Sequence, residues 1–221
     1  MSMFELPEIV AAPPCGASLR LEDELGARGY RTIAGLDEAG RGPLAGPVSA
    51  AAVILDPACP IPGLNDSKQL KAGEREALFA EICAKAVFAV AFSPPEEVDR
   101  INVLQASLTA MRRALAALPL AADYALIDGN MVPKGLCCPA RAVVGGDAIS
   151  ASIAAASIVA KVLRDRMMAR AEEAFAGYGF GRHFGYATPG HRSAIAALGP
   201  CALHRQSFAP FRNETPDLFG G

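Results

Sequence analysis

Three apolar runs in this chain end on an acid set near glycine: Leu36-Asp37-Glu38 leading to Gly40, Ile127-Asp128-Gly129, and Gly146-Asp147 after Val143-Val144. A device used three times points to buried strands that finish at a common edge, and in open α/β sheets that edge is where ligands gather. If the three ends converge, four carboxylates crowd together. Without a cation they repel one another, raise their pKa values and destabilise the fold. Divalent ions relieve the repulsion, and an all-oxygen ligand set favours Mg²⁺ or Mn²⁺ over zinc. Taken singly, each acid also reads as a turn residue or helix cap, Asp147 for a helix beginning near Ile149.

The first of these ends is the most unusual. Asp37-Glu38-Ala39-Gly40-Arg41-Gly42-Pro43 follows Ile33-Ala34-Gly35-Leu36. Neighbouring side chains on a strand point to opposite faces, so Asp37 and Glu38 share one site only if the strand stops or bends there. Gly40 and Gly42 allow such a bend and leave space for a phosphate backbone to approach. The plainer alternative is a strand closing in an acidic turn.

Strand and helix patterns alternate along the rest of the chain. Residues 1–28, with Ala-Ala-Pro-Pro, read as a partly flexible N-terminal extension carrying a short helical turn near Leu21–Leu25. Residues 31–36 and 47–55 are β-like and joined by the glycine loop, which suggests a hairpin-like pair. A helix is expected over Glu74–Lys85 and strands at Val87–Phe92, Ala125–Ile127 and Arg141–Val144. Leu104, Leu108, Met111, Leu115 and Leu118 fall at helical spacing and read as core. No repeat or long linker is visible, so residues 29–221 are expected to form one domain.

Composition bounds the function. With 52% hydrophobic and 20% charged residues in 221, the chain has enough apolar material for one ordinary core. Apolar stretches are interrupted before they reach membrane-spanning length, and the start lacks the basic flank of a secretory signal, so a cytoplasmic, non-membrane protein is expected. The six cysteines form no Cys-x-x-Cys pair and read as buried reduced thiols. A net charge of −2 does not suggest a nucleic-acid binder, but its distribution is uneven. Residues 1–159 sum to −5 and residues 160–221 to +3, with Arg164, Arg166, Arg170, Arg182, Arg192, Arg205 and Arg212 in the latter part. A basic C-terminal surface beside an acidic pocket suits a metal-dependent enzyme acting on a polyanion, and an ordinary solvated surface accounts for the charges equally well.

The ordered set Asp37-Glu38-Ala39-Gly40-Arg41-Gly42-Pro43, Asn65-Asp66-Ser67-Lys68, Asp128-Gly129-Asn130, Ser152 through Lys161 and His204-Arg205-Gln206-Ser207-Phe208-Ala209-Pro210 resembles ribonuclease HII over about residues 30–212. The resemblance implies an α/β, ribonuclease H-like fold: a mixed five-stranded sheet flanked by helices, with additional C-terminal helices. It implies a monomeric endonuclease that cuts RNA within RNA–DNA hybrids and at single ribonucleotides embedded in duplex DNA. It makes Asp37, Glu38, Asp128 and Asp147 the catalytic acids and ligands of a two-metal Mn²⁺ or Mg²⁺ site, with ions roughly 3.5–4 Å apart. It assigns the 2′-hydroxyl to the backbone of Gly40-Arg41-Gly42, and stacking on the sugar after the ribonucleotide to Tyr186. Ala187 stands where the family often has glycine.

Lys68, Lys161 and Arg192 are phosphate-contact candidates, with surface or capping roles as alternatives. Tyr186 also reads as a partly buried aromatic. If residues 147–165 form mostly one helix, its roughly 27 Å length places Asp165 outside the metal site, paired with Arg164, Arg166 or a neighbour on the outer surface. His183, His191 and His204 read as three unclustered structural histidines. The tail Thr215-Pro216-Asp217-Leu218-Phe219 resembles peptides that dock on sliding clamps, and equally a frayed terminus. Two other functions remain open: a nuclease requiring longer RNA tracts, and a non-catalytic hybrid-binding module.

Overall fold

The centre of the sheet is β1 (Ile33–Ala39), whose run Ala34, Gly35, Leu36 is small and apolar enough to accept partners on both edges and both faces. The computed structural model describes residues 16–212. On one side β2 (Val48–Leu55) and then β3 (Ala86–Ser93) pair antiparallel; on the other β4 (Tyr124–Asp128) and β5 (Ala140–Val143) add in parallel. The order β3-β2-β1-β4-β5 is the expected mixed five-stranded sheet. The glycine loop joins β1 and β2 as the hairpin-like pair that their spacing predicts.

Helices α1 (Arg20–Ala27), α2 (Ala72–Lys85), α3 (Pro95–Ile101), α4 (Val103–Ala116), α5 (Ala151–Ala174), α6 (Phe180–His183) and α7 (Pro189–Leu198) complete the described chain. The leucine stripe does bury α4: Met111 and Leu115 pack with Leu36, Ala50 and Ile127 on one face of the sheet. The opposite face is covered by α5, whose small residues Ala154, Ala155 and Ala160 sit between Ala51 and Val53 of β2 and Phe79 and Ile82 of α2. A helix enclosed on two sides cannot be amphipathic, which is why its first half is apolar all round.

Contact between α5 and β1 is closest at Gly35. A Cβ there would fall onto the main-chain carbon of Ser152 and the nitrogen of Ile153. Both are backbone atoms, so no rotamer change relieves the clash. Gly35→Ala is therefore expected to cost about 3 kcal/mol by overpacking, read as a lowered urea midpoint; an unchanged midpoint would contradict this packing.

Part of the stretch read as an extension belongs to the folded body. Leu21 and Leu25 of α1 are buried with Tyr124, Leu126 and Ile153. Glu22 Oε1 accepts from the Ser150 hydroxyl (2.6 Å), the Ser152 hydroxyl (2.6 Å) and the Ser152 amide (2.9 Å), holding the N-terminus of α5. Acidic oxygen at that end complements the helix dipole. The thiols depart from expectation: among the described residues all are free, but Cys59, Cys83 and Cys137 are exposed, because Cys59 and Cys137 lie in turns and Cys83 lies on the outward face of α2 while its neighbour Ile82 fills the core. No helix among the described residues is long and apolar enough to cross a membrane. The proposed clamp-docking tail, residues 215–219, lies outside the described residues.

Candidate active site

Register brings the acids together. β1 and β4 run parallel with Leu36 opposite Ile127, so the next step outward sets Asp37 beside Asp128 at the end of β4. The segment after β5 turns through a 3₁₀ turn at Gly146–Ala148 and presents Asp147. Asp37, Asp128 and Asp147 each offer a carboxylate oxygen within 4.8 Å of the others. Asp147 does not cap α5, as its position allowed; Ser150 does, its hydroxyl accepting from the Ile153 amide at 3.3 Å.

Glu38 reaches the site differently from the expectation that the strand stops or bends between the two acids. β1 continues through both, pairing Asp37 with Ala51 and Glu38 with Ala50, so they face opposite sides of the sheet. Asp37 turns toward α5, where Ser157 hydrogen-bonds to it, and Glu38 toward the α4 side, in a cleft shared with Leu104, Leu108 and Asp128. The chain turns only afterwards, at Gly40, whose φ of 95° is in the left-handed region. Glu38 lies outside the tight trio and accepts from Arg41 at 3.2 Å. It remains close enough for its charge and that of Asp128 to act on one another.

Burial and crowding act on every acid in the group. The Asp37 carboxyl is held well above the ordinary range by desolvation, then by the charges of Asp128 and Glu38. Asp128 is raised by burial although amides of Gly146, Asp147 and Gly129 favour its anion; the Gly146 amide donates to its Oδ1 at 2.8 Å. Asp147 is pushed up to about 6 by burial, Asp128 and Asp66. Glu38 is raised chiefly by burial, with Arg41 opposing. An all-carboxylate trio whose members disfavour one another's ionisation has the chemistry of a site for hard divalent cations.

The surrounding cations divide. Burial works against the Lys68 charge, but Asp66, Asp37, Asp147 and Asp128 outweigh it and hold the ammonium above its ordinary range. Lys161 pairs with Asp165 at 2.9 Å and lies 5.6 Å from the centre of the Tyr186 ring and 5.4 Å from that of Phe184. Asp165 is thus paired with Lys161 and not with either flanking arginine. Arg192 is exposed on α7, its Nε donating to the Ala187 carbonyl at 3.4 Å. Tyr186 is 43% exposed, and its ring borders the space a Gly42 side chain would fill. The glycine loop and the tyrosine turn are bonded directly, the Leu44 amide donating to the Gly185 carbonyl at 2.8 Å.

Several residues near the site escaped the sequence reading. Asp66 lies close enough to Asp147 for its charge to raise that carboxyl, and the Ser67 and Ser157 hydroxyls are 2.8 Å apart beneath Asp37. The three histidines are clustered: the His183 and His191 rings stack at 4.3 Å, and Nε2 of His191 and His204 are 3.1 Å apart. The Cys201 amide donates to His204 Nδ1, so the His204 proton sits on Nε2 and is directed to His191, which donates from Nδ1 to the Tyr186 carbonyl at 2.9 Å. Burial lowers both pKa values, that of His204 to about 4, so the pair is neutral at pH 7 and anchors the Tyr186 turn. Finally, Arg164 and Arg205 do not contribute to a basic surface: both are 0% exposed. Their partners are backbone carbonyls scattered along the chain, which no charge count reveals.

Comparison with known proteins agrees with this geometry. The sequence profile described as Ribonuclease HII matches residues 34–211. Ribonuclease HII of Sinorhizobium fredii (strain NBRC 101917 / NGR234) is 62% identical over 184 residues, 83% of this chain and 80% of that protein. Among solved structures, ribonuclease H2 from Pyrococcus horikoshii OT3 superposes with a TM-score of 0.69 at 28% identity, covering 82% of this chain and 96% of that one. RNase HII of Archaeoglobus fulgidus, solved in complex with PCNA, gives 0.64 at 28% identity, covering 80% and 95%. A match that begins in the central strand and runs past the last helix, with identity this high over most of a relative, settles the family: the chain belongs to ribonuclease HII.

Proposed function

We propose that the protein hydrolyses the RNA strand of RNA–DNA hybrids and incises duplex DNA on the 5′ side of a single embedded ribonucleotide, leaving 3′-hydroxyl and 5′-phosphate ends. The observation that carries this reading is the convergence of Asp37, Asp128 and Asp147 within 4.8 Å, next to a glycine loop bonded to the turn of an exposed tyrosine. Asp37, Glu38, Asp128 and Asp147 would hold Mn²⁺ or Mg²⁺ as a two-metal site. When bound, such ions supply charge stabilisation at the scissile phosphate and a more nucleophilic water.

The chain's own residues would do the selecting. The 2′-hydroxyl is what separates ribose from deoxyribose, and the Gly40-Arg41-Gly42 backbone is free of bulk where it would be read. Tyr186 offers a face for the following sugar, and Lys161 beside its ring brings a cation to the adjoining phosphate. Lys68, inside the acidic cluster, and Arg192, further out, are the remaining phosphate contacts. Attack on phosphorus opposite the 3′-oxygen breaks the P–O3′ bond, which accounts for the product ends.

Cleavage of three substrates with Mn²⁺ or Mg²⁺ tests this: duplex DNA with one ribonucleotide, a long hybrid, and all-DNA duplex. Cutting of the first two with none of the third is expected. Cutting of the long hybrid alone would indicate a nuclease needing RNA tracts, and binding without cutting a non-catalytic module. The A. fulgidus relative was solved in complex with PCNA, which supports a clamp contact here, and the likeness of residues 215–219 to clamp-docking peptides makes that tail the segment to test. Removing residues 215–221 should then reduce retention on an immobilised sliding clamp and leave cleavage unchanged.

A further inference from the structure

Two guanidinium groups lie directly behind the glycine loop, and every bond they make is to its backbone or to the tyrosine turn. Arg205 donates from Nη2 to Gly40 O (2.6 Å) and Gly46 O (2.8 Å), from Nη1 to Arg41 O and Pro43 O (both 2.9 Å), and from Nε to Gly46 O (3.0 Å). Arg164, on α5, donates from Nε to Pro47 O (2.9 Å), from Nη2 to Ala45 O (3.1 Å) and from Nη1 to Phe184 O (3.0 Å). Among the described residues neither has a carboxylate partner within ion-pair distance. Burying a charge with no counter-ion is costly, and it persists only where donors and acceptors are matched as closely as here.

The direction of those bonds matters more than their number. A trans peptide points its C=O and the next residue's N–H in opposite directions. With Gly40 O and Arg41 O drawn inward by Arg205, the amides of Arg41 and Gly42 face away from the protein. Neither amide donates to another group among the described residues. Arg164 joins the same frame to the other half of the surface, since Phe184 O lies two residues before Tyr186 and Ala45 O and Pro47 O lie in the loop. Gly40 has no side chain because a Cβ would fall on the Arg164 guanidinium arm. A lysine in either place offers three donors on one atom, against the five spread over a planar fork.

We propose that Arg164 and Arg205 are positioning residues for ribose selection: they aim the Arg41 and Gly42 amides at the 2′-hydroxyl and hold that loop in fixed relation to Tyr186. The proposal rests on the reading of the loop and tyrosine given above. It predicts that the arginines govern the preference for ribose and not the affinity for metal, because neither bonds to any of the four acids.

The test is binding, with Ca²⁺ in place of Mn²⁺, of duplex DNA with and without one ribonucleotide, for the unaltered protein, Arg205→Lys, Arg164→Lys and Arg205→Met. Mn²⁺ titration calorimetry and thermal melts run in parallel. The unaltered protein is expected to prefer the ribonucleotide duplex about tenfold, the scale of one or two hydrogen bonds. Both lysine variants should fall to within about twofold of no preference while binding Mn²⁺ normally. A folded lysine variant that keeps the full preference overturns the proposal. Loss of folding in both lysine variants also overturns it, by assigning the arginines to stability alone. No ribose preference in the unaltered protein, with intact hybrid cleavage, instead refutes the assignment of the loop as ribose reader.

Discussion

Asp128→Asn is expected to lower turnover by about 10³-fold or more, leave the fold intact, and raise the melting temperature of the metal-free protein. The fold survives because the Gly146 amide, which with those of Asp147 and Gly129 faces this side chain and donates to Oδ1 at 2.8 Å, needs only a carbonyl oxygen, which asparagine retains. Turnover is lost because the amide removes a negative charge from the trio that would hold the metal. Stability of the metal-free protein rises because Asp128 is among the charges that push up both Asp37 and Asp147. Deleting it relieves repulsion on both, by about 1 kcal/mol, or roughly 2–4 °C for a chain of this size. Steady-state cleavage and a thermal melt in chelator read the two effects. Activity within tenfold of the unaltered protein, or a lower melting temperature, would contradict the placement of Asp128.

Saturating Mn²⁺ is expected to raise the melting temperature by roughly 5–10 °C near pH 7.5, and by progressively less as the pH falls through about 6. The first figure corresponds to metal about 100-fold above its dissociation constant, which contributes about 2.7 kcal/mol. The pH dependence follows from the sign of the shifts. Asp37 is held well above its ordinary value and Asp147 at about 6, each by burial first and neighbouring acids second. A carboxyl raised in the folded state takes up protons there that the unfolded chain does not, so its repulsion weighs most at high pH and is relieved as pH falls through the folded value. The metal binds the deprotonated form, so protons compete with it over the same interval. The metal-free protein therefore gains from these two groups on acidification while the metal-bound protein loses its advantage. A Mn²⁺-induced shift equal at pH 7.5 and about pH 5 would rule out the raised pair as the ligands.

The parts of this molecule that could be read from the chain are those governed by neighbours in sequence. The apolar runs at Ile33–Leu36 and Ala125–Ile127 mark strands because strand geometry buries consecutive small and branched residues, and the α4 leucine stripe marks a helix through its period. The three acids stood out because each follows a run whose end must face solvent or a ligand. The positions of Lys68 and Tyr186 came from motif resemblance, since neither spacing nor composition distinguishes them.

What the chain alone determined was therefore the sheet, the main helices and the acids at the strand ends, all encoded over a few residues. Tertiary structure alone decided that Asp37 and Glu38 occupy opposite faces of an unbroken strand, because pairing with β2 extends beyond the end of β4. It also decided that α1 locks the start of α5, that His183, His191 and His204 meet behind Tyr186, and that Arg164 and Arg205 are buried cations. A side chain's charge and period are local properties, but its partners are set by which distant carbonyl or ring arrives beside it when the core closes. Arg205 is the clearest case: its acceptors lie some 160 residues away in sequence, and only the packed loop reveals them.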